Sequence, residues 1–208
     1  MSSSTTKRLT TRLRFPEFRD VPNWYERKLG DIFGERSEKG FPDKTVLSAT
    51  QDKGVIPYNL LEKSVIRDNQ NLVGYKLVRQ GDFVISLRSF EGGFEYSEYE
   101  GIISPAYVIL FNKEDINKDF FKHLFKSDFF ISSIVGLLNN NLRDGKSISY
   151  NQAKTLNLLV PGMDEQRAVA DCINSVNELI AAESEKLEAL KDQKRGLMQQ
   201  LFPVASEN

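Results

Sequence analysis

DEQRAVADCINSVNELIAAESEKLEALKDQKRGLMQQL, residues 164–201, reads as one long amphipathic helix. At 1.5 Å per residue it would run about 55 Å, far beyond an ordinary domain helix, so its role is to separate or join other parts. Apolar side chains at Val169, Ile173, Val176, Ile180, Leu187, Leu190, Leu197 and Leu201 follow the 3-4 spacing of a heptad seam. Glu183 and Lys194 interrupt that seam, and polar seam residues fix register and orientation with a particular partner helix. The competing reading is a solvated C-terminal helix packed on its own domain. Pro161-Gly162 stops the preceding segment. Asp164 and Glu165 place negative charge at the helix start, and Lys191, Lys194 and Arg195 place positive charge near its end.

Upstream of this helix the period changes. From Val46 onward short β-type runs alternate with turn signals: Val46–Ala49, Gly54–Ile56, Tyr75–Val78, Phe83–Leu87 and Tyr107–Phe111, with turns at Gly81-Asp82 and Gly92-Gly93. Between Asn117 and Leu138 the apolar residues Phe120, Phe121, Leu124, Phe125, Phe129, Ile131, Ile134, Val135 and Leu138 predict one or two helices packed on that sheet. Its phenylalanines read as core rather than as a ligand cage. Thr155–Val160 reads as a last strand, and Trp24–Phe33 as a short amphipathic helix with Leu29, Ile32 and Phe33 on one side. The expected fold class is α+β: a small mixed-sheet domain with packed helices, followed by a long C-terminal coiled-coil-type helix.

Composition narrows the function. The 208 residues, 40% hydrophobic and 11% aromatic, can bury one core and leave a helical appendage. A formal net charge of −1 leaves no bulk polycation, so nucleic-acid binding would need a local patch. With a single cysteine, Cys172, and a single histidine, His123, there is no internal disulfide and no zinc-finger constellation. Cys172 reads as a small packing residue beside the seam. No apolar run approaches the roughly 18 residues that span a bilayer, and the opening residues lack a hydrophobic signal core, which predicts a cytoplasmic protein without membrane partners. The first residues are expected to be disordered, leading into a basic arm that carries Lys7, Arg8, Arg12, Arg14 and Arg19.

Several catalytic readings fail on particular residues. Gly145-Lys146-Ser147 imitates the end of a phosphate-binding loop, but Asn140 stands where that loop needs glycine. None of the seven prolines is adjacent to another, so the proline pair with which a DNA amino-methyltransferase grips its target is missing. No carboxylate cluster suits a metal-dependent nuclease, and no metal site is expected. What the chain does offer is a reading surface. Arg88, Ser89 and Phe90 leave a strand and enter Glu91-Gly92-Gly93, placing a guanidinium, a hydroxyl and a ring on one connection. Gln51 and Lys53 sit in a second polar loop, and Arg143, Lys146 and Ser147 in a third. Glu91, Glu95, Glu98 and Glu100 oppose this reading locally, because they would repel phosphate unless they point away.

The order Arg14-Phe15-Pro16-Glu17-Phe18, Trp24, Lys28-Leu29-Gly30-Asp31-Ile32, Gly81-Asp82-Phe83-Val84-Ile85 and Arg88-Ser89-Phe90-Glu91-Gly92 resembles the specificity subunit of type I restriction-modification systems. Ser104-Pro105-Ala106-Tyr107, Leu159-Val160-Pro161, Glu165-Gln166 and Gln199-Gln200-Leu201-Phe202-Pro203 fit the same family. The resemblance implies a non-catalytic subunit that reads double-stranded DNA, docks a modification subunit and, through it, a restriction subunit. S-adenosylmethionine, ATP and magnesium would then belong to those partners and no cofactor to this chain. Family members carry two target-recognition domains held apart by two long antiparallel helices. This chain matches one of each: a basic arm (1–22), a target-recognition domain (23–162), a spacer helix (163–202) and a tail (203–208). It is therefore expected either to form a homodimer through antiparallel long helices or to be a fragment of a longer product. The alternative is a truncated scaffold that interferes with assembly and binds no DNA.

Overall fold

Tyr25–Lys28 (β1) pairs antiparallel with Asn157–Val160 (β10), joining sequence positions more than a hundred residues apart. The computed structural model describes residues 13–61, 72–85, 93–139 and 148–202. The chain divides into two units, Met1–Arg167 and Ala168–Asn208. The α+β class is as predicted. The helix predicted over Trp24–Phe33 is not: residues 25–28 are strand, helix α1 is confined to Leu29–Ile32, and Phe33–Arg36 is strand β2. Long-range pairing overrides local periodicity here. Gly30 permits the join, because its N–H donates to the Lys154 carbonyl and a Cβ on it would stand 2.7 Å from the Lys154 Cβ.

The main sheet has the order β2-β9-β6-β7, all antiparallel, with β6 at Phe83–Ile85, β7 at Glu95–Tyr96 and β9 at Val108–Asn112. Smaller pairs are β3 (Leu47–Thr50) with β4 (Gly54–Pro57), and β5 (Lys76–Val78) with β8 (Gly101–Ile103). Alternation along the strands divides the core in two. Val84 and its partner Ile109 face an aliphatic cluster with Leu47, Val55, Val78 and Ile103. On the opposite face, Phe33 and Phe83 join Phe121 from α2 (Lys118–Leu124) and Phe125 just beyond it. Phe94 and Phe130, the latter from α3 (Asp128–Asn139), complete this group of fully buried rings.

Phe129, predicted to pack inward, is 53% exposed, and Val135 is also exposed. The helix breaks at residues 125–127 and restarts at Asp128, which resets its phase and turns Phe130 and Ile134 to the core. Strands β2, β7 and β8 carried too little pattern to be predicted: β7 has only two residues, and β8 opens on glycine. That glycine, Gly101, is required by crowding, since a Cβ would stand 2.4 Å from the Thr45 carbonyl oxygen.

The residues that open and close this unit meet. Arg14 donates to both carboxylate oxygens of Glu165 at 2.8 and 2.7 Å, and Trp24 Nε1 donates to the same carboxylate at 3.0 Å. Gln166 beside it accepts from the Asn117 N–H and donates to the Pro161 carbonyl. Burial alone would raise the Glu165 pKa, but the hydrogen bonds from Arg14 and Trp24, with the Arg14 charge, outweigh it and hold the group below its ordinary value. A depressed folded pKa gives stability that is present above the unfolded value of about 4.3 and is lost as pH falls through the folded value. In urea titrations, wild type should therefore exceed Glu165→Gln in stability at pH 7. The gap should narrow as pH falls below the unfolded value; a gap of equal size at pH 7 and pH 3 would show that ionisation of Glu165 is not what the fold uses.

Candidate nucleic-acid interface

Gln51, Asp52 and Lys53 form the exposed tip of the β3–β4 hairpin. Thr50 Oγ1 ties the tip internally, accepting from the Lys53 N–H and donating to the Gly54 carbonyl. Gly54 takes φ +69°, which L side chains rarely adopt, and a Cβ there would stand 2.8 Å from the Tyr96 carbonyl oxygen. The hairpin thus rests on β7, and Val55 also bridges to Ser97 just beyond it.

The other predicted reading residues, Arg88, Ser89, Phe90, Arg143, Lys146 and Ser147, lie outside the described residues, as do 1–12 and 203–208. Their points of attachment are described. The segment bearing Arg88–Phe90 leaves from Ile85, paired with Val108, and re-enters at Gly93. Gly93 has φ +77° and sits so close that a Cβ would lie 1.9 Å from the Phe125 carbonyl oxygen. The segment bearing Arg143–Ser147 re-enters at Ile148, which is buried, and Ser149, which caps the short helix α4 (Tyr150–Ala153) with Gln152. Residues 148–151 share a cleft of about 300 Å³ with Glu35, Lys76 and residues 105–108. Both segments are therefore rooted beside Val108, at one end of the main sheet. The hairpin tip joins the same end through Lys126, whose ammonium donates to the Gln51 carbonyl at 3.1 Å and to Glu95 Oε1 at 2.5 Å.

The electrostatic objection raised by the acidic residues is met by pairing. Glu95 is buried against Lys126, Glu98 lies 3.4 Å from Lys122, and Glu100 lies 2.5 Å from Lys44. Glu91 lies outside the described residues. In the cleft, Lys76 donates to the Tyr107 carbonyl at 2.8 Å. Burial lowers its pKa, with Glu35 opposing and Lys39 adding to the shift. Sequence reasoning missed Lys126, Glu95 and Lys76, since each is brought to this end by tertiary packing rather than by a motif.

The predicted long helix is α5, Met163–Leu201, 39 residues. Val176, Ile180, Leu187, Leu190, Leu197 and Leu201 are all exposed on it, with Leu187 at 52% and Leu190 at 54%, whereas Val169 and Ile173 are half-buried. Cys172 is exposed rather than packed. Among the described residues no helix is long and apolar enough to cross a membrane.

No protein-family model matches the chain. A Methanocaldococcus jannaschii protein named for the specificity subunit of the type I restriction enzyme MjaX is 25% identical over 209 residues, covering 89% of this chain and 47% of that protein. The HsdS subunit from Thermoanaerobacter tengcongensis superposes with a TM-score of 0.58 at 15% identity, covering 90% of this chain and 51% of that one. The chain is similar to type I specificity subunits. A further chain, from a study of complex assembly and conformational transition in the type I R-M system, gives 0.59 at 16% identity, with 90% and 51% covered. The S subunit from M. genitalium gives 0.51 at 17% identity, with 92% and 48% covered. Against these specificity subunits the chain spans about half their length. The shared fold is the sheet unit followed by the long helix.

Proposed function

We propose that the chain is the sequence-reading part of a type I restriction-modification enzyme and has no catalytic role of its own. Residues 23–162 read one half of a bipartite DNA site, and residues 163–202 dock the methyltransferase subunit and set spacing. The observation that carries this reading is the rooting of three polar segments, 51–53, 86–92 and 143–147, at one end of the main sheet. Arg88 is suited to a bidentate contact with guanine, and Gln51, Lys53, Ser89, Phe90, Arg143, Lys146 and Ser147 supply further donors, acceptors and a stacking ring. Methyl transfer from S-adenosylmethionine and ATP- and magnesium-dependent steps fall to the partner subunits in the cytoplasm.

The long helix supports self-pairing in an antiparallel sense. Residues 168–185 carry four acidic and no basic side chains, whereas residues 186–201 carry four basic and two acidic ones. Two copies running antiparallel would set the acidic half of each beside the basic half of the other, along a seam exposed in the single chain from Val176 to Leu201. Replacing Leu187 and Leu190 together with Asp would bury two charges in that seam. Sedimentation should then show a dimer for wild type at micromolar concentration and a monomer for the double variant; a monomeric wild type would exclude the homodimer.

The test of recognition is a map of adenine methylation in cells that express this chain with its companion modification subunit and no other specificity subunit. A palindromic bipartite motif is the expected result, because two identical reading units face opposite strands. Absence of any motif, with both proteins soluble and co-purifying, would favour the scaffold that binds no DNA.

A further inference from the structure

Strands β2, β5 and β9 and helix α4 each contribute to the cleft of about 300 Å³, through Glu35, Lys76, Val108 and Tyr150. Its parts are held in place. The turn at 104–107 is closed by the Tyr107 N–H, which donates to the Ser104 carbonyl. Tyr150 is pinned by its hydroxyl, which donates to the Phe33 carbonyl at 2.9 Å, and Ser149 and Gln152 cap the helix that carries it. Phe33 itself belongs to the buried ring cluster. The cleft is therefore preformed, with Val108 and Ile148 as buried apolar wall.

Its charged groups do not satisfy each other. The Lys76 ammonium has three donors, and the one hydrogen bond described for it goes to the Tyr107 carbonyl at 2.8 Å. Glu35 Oε1 lies 3.9 Å away, too far for a hydrogen bond. The Lys76 side chain is only 12% exposed, and a carboxylate at that distance repays little of its lost hydration. Donors and acceptors with spare capacity thus stand side by side in a partly apolar cleft. A phosphate fits this poorly, because an anion on Lys76 would also meet the charge of Glu35. A neutral group that accepts from Lys76 and donates to Glu35 suits both. Every nucleobase presents an acceptor next to an N–H on its pairing edge, and its flat faces pack on apolar and aromatic side chains. Pro105, Tyr107, Val108, Ile148 and Tyr150 offer such surfaces here. A concave site cannot reach into a groove of paired DNA, so the base that enters must be unpaired.

We propose that this cleft binds a single unpaired nucleobase, with Lys76 donating to its acceptor and Glu35 accepting from the adjacent N–H. In the DNA-reading role, on which this choice of source rests, the base is one turned out of the duplex. A free nucleoside carries the same edge.

Two titrations of the full chain, followed by amide NMR, test the site and its source. In the first, the four 2′-deoxynucleosides are added singly, and at least one should shift the amides of Lys76, Tyr107 and Tyr150. Glu35→Gln and Lys76→Met should each weaken that binding about tenfold. Glu35 is 34% exposed in its side chain, so Glu35→Gln reads binding rather than folding. In the second, a short DNA duplex with a one-base bulge should bind about tenfold more tightly than the same duplex fully paired. Glu35→Gln should erase that preference and leave affinity for the paired duplex unchanged. Absence of shifts with every nucleoside, beside binding of the paired duplex, would overturn the site and leave DNA reading in place. Equal shifts with inorganic phosphate would overturn it in favour of an anion site. Nucleosides that bind both variants as well as wild type would overturn the roles of Lys76 and Glu35. Nucleoside shifts without a bulge preference would overturn the turned-out base and assign the site to free nucleosides. Nucleoside shifts with no binding of either duplex would support the site and overturn the reading of DNA.

Discussion

Phe125→Ala should lower the free energy of unfolding by about 4 kcal/mol, measured as a shift of the urea midpoint at unchanged slope. The ring is fully buried and meets five others, Phe33, Phe83, Phe94, Phe121 and Phe130, with centroids 4.7–5.7 Å apart. Those partners come from the main sheet, from the entry to β7, and from both packed helices, so no single element can collapse into the vacated volume. The cost therefore belongs in the upper part of the range for such truncations. The Phe125 carbonyl is also the atom against which Gly93 packs, so loosening this position transmits to the re-entry of the 86–92 segment. A cost below about 1.5 kcal/mol would mean that the ring cluster repacks freely and is not the organising core.

Asp82→Ala should cost about 3 kcal/mol. The Asp82 side chain is 5% exposed and accepts from Arg36 Nε at 2.8 Å, from Arg36 Nη2 at 3.2 Å and from the Arg79 N–H at 2.8 Å. Truncation would strand a guanidinium that is itself 13% exposed and lies over the Phe111 ring. Its one remaining carboxylate partner would be Glu38, at 2.9 Å, among the bonds described. The turn between β5 and β6 would also lose the side-chain acceptor that closes it. Asp82→Asn keeps an oxygen for Arg79 and should lose less; equal losses in the two variants would place the effect in the ion pair rather than in the turn. Thermal or urea unfolding of the three proteins distinguishes these outcomes.

The long helix was the most legible element, because 3-4 spacing over many turns has few competing explanations, and its end signals agreed with it. The strands at Leu47–Thr50, Gly54–Pro57, Lys76–Val78, Phe83–Ile85 and Val108–Asn112 were also readable, each bearing β-branched or aromatic residues between turn residues. Trp24–Phe33 was misread because its apolar spacing suits a helix, while its actual partner, β10, lies far along the chain. Phe129 was misread because periodicity was carried through a break that the sequence marks only weakly, at Lys126-Ser127-Asp128. For the candidate site, polar loops were visible in the sequence, but their common origin at one end of the sheet depends on register, which local pattern does not encode. Lys126 and Glu95 were hidden for the same reason: a lysine in a turn and a glutamate in an acidic run look like ordinary solvated charges until packing joins them.

Along α5 the ion pairs Glu183–Lys186, Glu188–Lys191 and Asp192–Arg195 are all spaced i,i+3 with the acid on the N-terminal side. Each contributes only a few tenths of a kcal/mol. Spread over a helix of 39 residues, well above the length at which isolated helices become marginal, they let the segment hold its shape before any partner arrives. Assembly is then a meeting of preformed rods rather than a folding event. The chain-ordering entropy is spent when the helix folds, so the rate at which it associates with any partner should follow diffusion and salt rather than a conformational step.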